Sequence, residues 1–214
     1  MTKTTSRDAR AVATQETILA TAERLYAERG IAHVSNRQIS EAAGQGNNAA
    51  VGYHFGTKTD LVRAIALRHS AAISTIRGRM LAGMDDDADL REWVACLVEP
   101  VVIHLAELGD TTWYARFTAQ LTADPTLRSL VDRQTSEDDS VRVVMSEIKR
   151  RLPAMPSDVW ESRTMMLRHL VTQMNAEHER AAADGSARAM GRQASTDALV
   201  DALTGLLQAP VTPR

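Results

Sequence analysis

"ISEAAGQGNNAAVGYHFGTKTDLV", residues 39–62, is the stretch from which the rest of the chain can be read. Glycines at 44, 46, 52 and 56 punctuate a polar run around Asn47 and Asn48, and Tyr53, His54 and Phe55 then arrive together. The chain is only 4% aromatic, and two of its five Tyr and Phe residues sit in this one segment. The local signals divide it into short helices. Ser35 is a good N-cap for a helix that ends at Gly44, and a third helix over about 47–54 is broken by Gly56. Thr57 then caps a long helix running through Leu61, Ile65, Leu67 and Ile73 to about Met80. Upstream, residues 14–29 place Ile18, Leu19, Ala22, Leu25 and Tyr26 on one helical face, with Gly30 as the stop.

Two short helices joined by a tight glycine-containing turn form a helix-turn-helix, whose second helix is free to enter a major groove about 12 Å wide. Gln45, Asn47, Asn48 and Ala49 stand near the start of that helix and approach base edges first. Asparagine pairs bidentately with adenine, and a helix N-terminus favours phosphate. Tyr53 and His54 carry polar tips suited to phosphate oxygens, contacts that fix register without reading sequence. Phe55 is expected to anchor the unit on the first helix. Ser35, Asn36, Arg37 and Gln38, at the start of the second helix, and Lys58, in the first turn of the fourth, complete the expected DNA-contacting set. Arg7 and Arg10 are expected in a disordered N-terminal arm, either touching DNA or a plain tail.

With these residues in place the segment resembles the DNA-binding signature of the TetR family of bacterial one-component transcription regulators. Ile39, Ala42, Ala43, Gly44, Tyr53, His54, Phe55, Lys58 and Leu61 occupy the positions of that pattern. The interval from Gly44 to Phe55 is one residue longer than usual, which leaves open which residue caps the third helix and which asparagine faces bases. The resemblance implies an all-α protein. A three-helix DNA-binding domain, residues 1–56, would be followed by a larger ligand-binding and dimerisation domain, residues 57–214, with about nine helices in all. It further implies a homodimeric repressor released from a palindromic DNA operator by a small-molecule effector, without a cofactor and without enzymatic activity. The last two helices, 157–183 and 196–208, would supply a four-helix dimer interface through Met166, Leu170, Met174, Leu199, Leu203 and Leu206.

The remaining residues are compatible with this. The chain has 214 residues, 44% of them hydrophobic and 24% charged, values of an ordinary folded protein. It contains no apolar run near the roughly 20 residues that cross a bilayer and no apolar leader, so no membrane partner and a cytoplasmic location are expected. A single cysteine, Cys96, excludes an internal disulfide framework and is expected to be a buried, inert thiol. Residues 1–69 carry nine Lys/Arg against six Asp/Glu, and residues 70–214 carry sixteen against twenty-one. A basic front on an acidic body points the front at an anionic partner.

Beyond residue 80 the chain reads as further helices. These are a buried one over 87–108 that Pro100 should kink or split, one over 111–124, one from Pro125 to about Arg151, and the two C-terminal ones. The 85–89 acidic run is expected at a helix N-terminus. Trp93, His104, Trp113, Tyr114, Phe117, Met165 and His169 are the candidates for lining an effector pocket, because aromatic and methionine side chains offer adaptable apolar area. No Ser-His-Asp, HExxH or phosphate-cradling glycine pattern argues for an enzyme, and no His, Cys or carboxylate spacing argues for a metal. A helical interaction protein without DNA binding is the other alternative, and the intact 44–61 motif speaks against it.

Overall fold

A computed structural model describes residues 2–109, 111–186 and 191–212, and ten α-helices and one 3-10 turn account for most of them. Helix α1 spans Thr2–Arg29 and is followed by the 3-10 turn Ile31–His33; α2 is Asn36–Ala42, α3 Ala50–Phe55 and α4 Lys58–Ala82. The second half contains α5 (Leu90–Glu107), α6 (Tyr114–Ala123), α7 (Pro125–Glu137), α8 (Asp139–Arg150), α9 (Ser157–Ala183) and α10 (Arg192–Gln208).

Local chemistry explains most boundaries. Ser35, Thr57 and Asp89 each close a capping box, accepting from the backbone N–H three residues on while Gln38, Asp60 or Glu92 accepts from the cap's own N–H. Where expectation and structure differ, the reasons are also local. Helix α1 begins far upstream of residue 14, because no proline or glycine interrupts 2–29 and its alanines, arginines and glutamates favour helix. The expected arm is therefore helical. Arg10 is exposed, and the side chain of Arg7 lies outside the described residues. Pro100 neither splits nor ends α5. The single helix expected over 125–151 divides at Asp138, whose carboxylate takes the N–H groups of Ser140 and Val141 and starts α8 afresh. Helix α10 begins at Arg192 rather than 196, and residues 187–190 of the connection before it lie outside the described residues.

Among the described residues, two large apolar cores result, besides a small cluster of Leu105, Ala115 and Ala176. One joins Ile18, Leu25 and Tyr26 of α1, Ile39 of α2, Val51 of α3 and Leu61, Val62 and Ile65 of α4, and it extends to Phe117 and Leu121 of α6. The other gathers Trp93, Val94, Cys96 and Val98 of α5 with Val144 and Ile148 of α8 and Leu199, Val200, Leu203 and Leu207 of α10. Helix α4 contributes to the first core at its start, and its Met80 and Leu81 pack on the second. No helix among the described residues is long and apolar enough to cross a membrane.

Candidate nucleic-acid interface

The turn between α2 and α3 is built by one glycine conformation and one buried hydroxyl. Gly44 has φ +66, a left-handed value that lets the Gly44 and Gln45 N–H groups bond back to the carbonyls of Glu41 and Ser40. Ser40 is fully buried and its hydroxyl accepts from the Val51 N–H at 3.4 Å, tying the start of α3 to α2. Ile39 and Val51, both fully buried, lock the two helices onto α1.

This fixes which face of α3 looks outward. Ala50 and Val51 point into the core, whereas Ala49, Gly52 and Tyr53, at helical i, i+3 and i+4 spacing, are exposed. Tyr53 is 84% exposed, with its ring edge-on to His54 at 5.0 Å. An 84% exposed tyrosine on the outer face of a locked helix contributes nothing to the protomer's core. Gly52 is equally without an internal reason, since a Cβ built there would meet nothing within 4 Å. Glycine in a helix interior costs about 0.5–1 kcal/mol relative to alanine, so the fold alone gives no ground for it.

The asparagine pair divides its work. The Asn47 carboxamide oxygen accepts from the Ala49 N–H at 2.9 Å and the Asn47 carbonyl accepts from Ala50, an Asx turn that delays α3 to residue 50 instead of 47. Asn48 is exposed and makes no hydrogen bond among the described residues, so its full donor and acceptor set faces outward. Gln45, half-buried, spends its amide N–H on the Ala43 carbonyl.

The other expected contacts are variously engaged. Gln38 and Ser35 hold each other in the α2 capping box, and Asn36 is half-buried. Arg37 is exposed and pairs with Glu41 at 2.8 Å, which raises the guanidinium's already high pKa through the hydrogen bond and the charge. Such exposed pairs are worth about 0–1 kcal/mol, so Arg37 is cheaply redirected. Lys58 turns inward: its ammonium donates to the Ala32 carbonyl at 3.4 Å and lies 5.9 Å above the Tyr26 ring. Partial burial lowers its pKa, opposed by the charge of Asp124.

In the second half, the seven expected pocket residues are not brought together. Tyr114 and Phe117 pack with His104 and the first core, whereas Trp93 lies in the second core under the Arg151 guanidinium. Trp113 is half-buried beneath the Arg116 guanidinium at 4.5 Å, Met165 is 46% exposed and His169 is half-buried. A cavity of about 710 Å³ instead lies between α5, α9 and α10, with Val102, Leu105, Thr112, Met174, Asn175 and Thr196 among its walls. Aromatic side chains here fill gaps between helices, and small residues of α9 and α10 leave the space.

The six expected interface residues also divide. Met166, Leu170 and Met174 form an exposed stripe along α9, joined by Met165, and Leu206 is half-buried. Leu199 and Leu203 are buried in the protomer's own second core, because α10 turns that face to α5; this corrects the expectation that they face a partner. What the sequence reading passes over is a buried polar group: Glu23, His69, Asn175 and Glu179 are each under a tenth exposed. His69 is detectable in the sequence, since it interrupts the i, i+4 series Leu61, Ile65, His69, Ile73 on the buried face of α4.

Residues 18–65 match the profile described as "Bacterial regulatory proteins, tetR family". The chain is 27% identical over 138 residues to the "HTH-type transcriptional repressor AcnR" of Corynebacterium glutamicum, and equally to that of Corynebacterium efficiens. Each alignment covers 62% of this chain and 64% of the relative, so under two thirds of the relatives' length is spanned. Among solved structures, the TetR family transcriptional regulator PfmR from Thermus thermophilus covers 92% of this chain and 96% of its own at 16% identity, with a TM-score of 0.49.

Proposed function

We propose that this chain, whose residues 18–65 match the profile of the tetR family of bacterial regulatory proteins, is a sequence-specific, effector-responsive transcriptional repressor acting as a homodimer. The observation that carries the proposal is the outer side of α3 and of the turn that leads into it, where the uncommitted Asn48 carboxamide precedes the bare Gly52 and the 84% exposed Tyr53 of a helix whose other face is locked in the core. A turn that presents a free bidentate amide, followed by a helix face with a close-approach glycine and a phenol, suits a major groove with phosphate on its rim. The repressor names of the corynebacterial relatives favour repression over activation.

Residues 1–56 act as the DNA-reading head, and the helices from residue 57 onward as the body that binds effector and partner. The exposed Met165, Met166, Leu170 and Met174 stripe is the part of α9 that a second copy covers. Two-fold symmetry then asks for an inverted-repeat operator with half-sites spaced by helical turns. Selection of bound duplexes from a random pool tests this. Recovery of an inverted repeat supports it, and a pool that stays random through successive rounds sinks it.

A further inference from the structure

A chain of buried polar groups links the helix-turn-helix head to the rest of the protein. His69, on α4, is 3% exposed; its Nε2 lies 2.8 Å from Glu23 Oε2 on α1, and its Nδ1 lies 2.8 Å from His104 Nε2 on α5. The Tyr114 ring of α6 stacks on His69 with centroids 4.0 Å apart and planes at 16°. Four helices thus meet through one imidazole. Glu23 sits on the helix that forms the floor of the head, and His104 and Tyr114 belong to the body.

The proton inventory of this chain is limited by geometry. With both imidazoles neutral, His69 donates from Nε2 to Glu23 and accepts at Nδ1 from His104. With one imidazolium, His69 donates from both nitrogens and His104 accepts at Nε2. Both hydrogen bonds survive in either state. A second imidazolium leaves an N–H on each of the two facing nitrogens at 2.8 Å, and the His69–His104 bond is lost.

We propose that the Glu23–His69–His104 chain is a proton-operated latch between head and body, closed while the pair holds at most one extra proton and opened by the second. The proposal rests on the reading of the head as a DNA-binding unit only for its regulatory consequence; the latch itself is a property of the fold. The charged groups around the pair agree with it. Glu23 from α1 and Glu107 from α5 favour an imidazolium, whereas His69 and Arg68 from α4 oppose a second one. The pKa of His104 is lowered from the ordinary 6.5, first by burial and then by His69. Tyr114 stays a neutral phenol, its pKa pushed up to about 12 by burial. A histidine held neutral in the fold contributes stability above about pH 6.5 that is lost as pH falls through its lowered value.

The test compares the full chain with His104→Gln, whose amide can donate to or accept from His69 but does not titrate. Backbone amide exchange is followed at about pH 7.5 and about pH 4.5, the lower point set about two units under the ordinary imidazole value because burial and His69 lower that of His104, after correction for intrinsic rates. The unaltered protein should lose protection around Glu23 and His69 by about fivefold relative to α8, the factor that one hydrogen bond of about 1 kcal/mol is worth. His104→Gln should show no such loss. Equal protection at both pH values in the unaltered protein, or equal loss in both proteins, overturns the latch. Independently of any variant, the nitrogen–nitrogen coupling across the His69–His104 bond should be visible by NMR at the higher pH and vanish at the lower; its persistence overturns the proposal. Affinity for a selected duplex should weaken over the same interval only in the unaltered protein. Loss of protection with affinity changing equally in both proteins would sever the latch from DNA binding. Absence of binding at any pH would sink the DNA-binding reading and leave the exchange result standing.

Discussion

Glu179 of α9 grips Arg116 of α6 at both backbone and side chain: one carboxylate oxygen accepts from the Arg116 N–H at 2.9 Å and from its guanidinium Nε at 3.2 Å. The other oxygen accepts from the Thr112 hydroxyl at 2.5 Å and the Ala115 N–H at 3.2 Å. Helix α6 has no side-chain cap of its own, since Trp113 holds the N-cap position. The missing cap comes from a carboxylate 64 residues away along the chain. This arrangement ties α9, with its exposed stripe, to the helix whose Phe117 and Leu121 enter the core of the head.

Glu179→Ala therefore removes a helix cap and takes the paired carboxylate from a guanidinium whose side chain is 12% exposed, leaving it the Thr112 carbonyl and the Trp113 ring. Breaking a buried pair from one side costs about 3–5 kcal/mol, a large part of the about 5–15 kcal/mol that stabilises a domain. Urea unfolding should show the loss, and Glu179→Gln, which retains one acceptor oxygen, should lose less. Equal midpoints for Glu179→Ala and the unaltered protein would refute the capping role.

Gly52→Ala should move stability and binding in opposite directions. Nothing in the fold opposes the added Cβ, so the helix should gain about 0.5–1 kcal/mol and the melting temperature should rise. If a duplex approaches this face closely, its affinity should fall in a titration of the selected operator. Higher stability with unchanged affinity would show that Gly52 does not face the groove.

On the proposed function, Asn48→Ala and Arg37→Ala should separate base reading from phosphate contact. Loss of a bidentate base contact costs about 1–3 kcal/mol and relaxes preference at one position of each half-site. Loss of a phosphate contact should weaken all sequences alike and reduce the salt slope by about 1. Binding to operator and mismatched duplexes across a salt series distinguishes the two. Asn47→Ala should act mainly on stability, because its carboxamide already serves the Ala49 N–H.

Leu170→Glu places a charge in the middle of the exposed α9 stripe, flanked by Met166 and Met174. The protomer loses little, since this side chain is 40% exposed in the isolated chain. Sedimentation should show a shift from dimer towards monomer, with far-UV helicity retained. A variant that sediments as the unaltered protein would move the interface elsewhere.

The elements of this protein that are set by neighbours in sequence can be read from it, and those set by distant neighbours cannot. Gly44 and Gly56 mark the ends of α2 and α3, and Ser35 and Thr57 mark the starts of α2 and α4, because a cap or a left-handed turn is a matter of four residues. Helix α3 starts three residues later than the pattern predicts because the Asn47 side chain competes with the helix for the Ala49 N–H. Leu199 and Leu203 carry the same apolar pattern as a dimer seam, and only the position of α5 decides that they face inward. The Glu179 cap and the Glu23–His69–His104 chain join helices far apart in sequence. Their sole local trace is a polar residue at a position where the helical period calls for an apolar one.

Helix α4 runs unbroken through 25 residues, about 37 Å at 1.5 Å per residue. Its two ends cannot be displaced independently. A lean of about 5° at the body end carries the far end through about 3 Å, close to the spacing of about 3.4 Å between successive nucleotides along one strand. On the proposed function, small repacking around α5 and α8 that tilts this helix would give an offset of one whole base step, enough to set a protein out of phase with the sequence it reads.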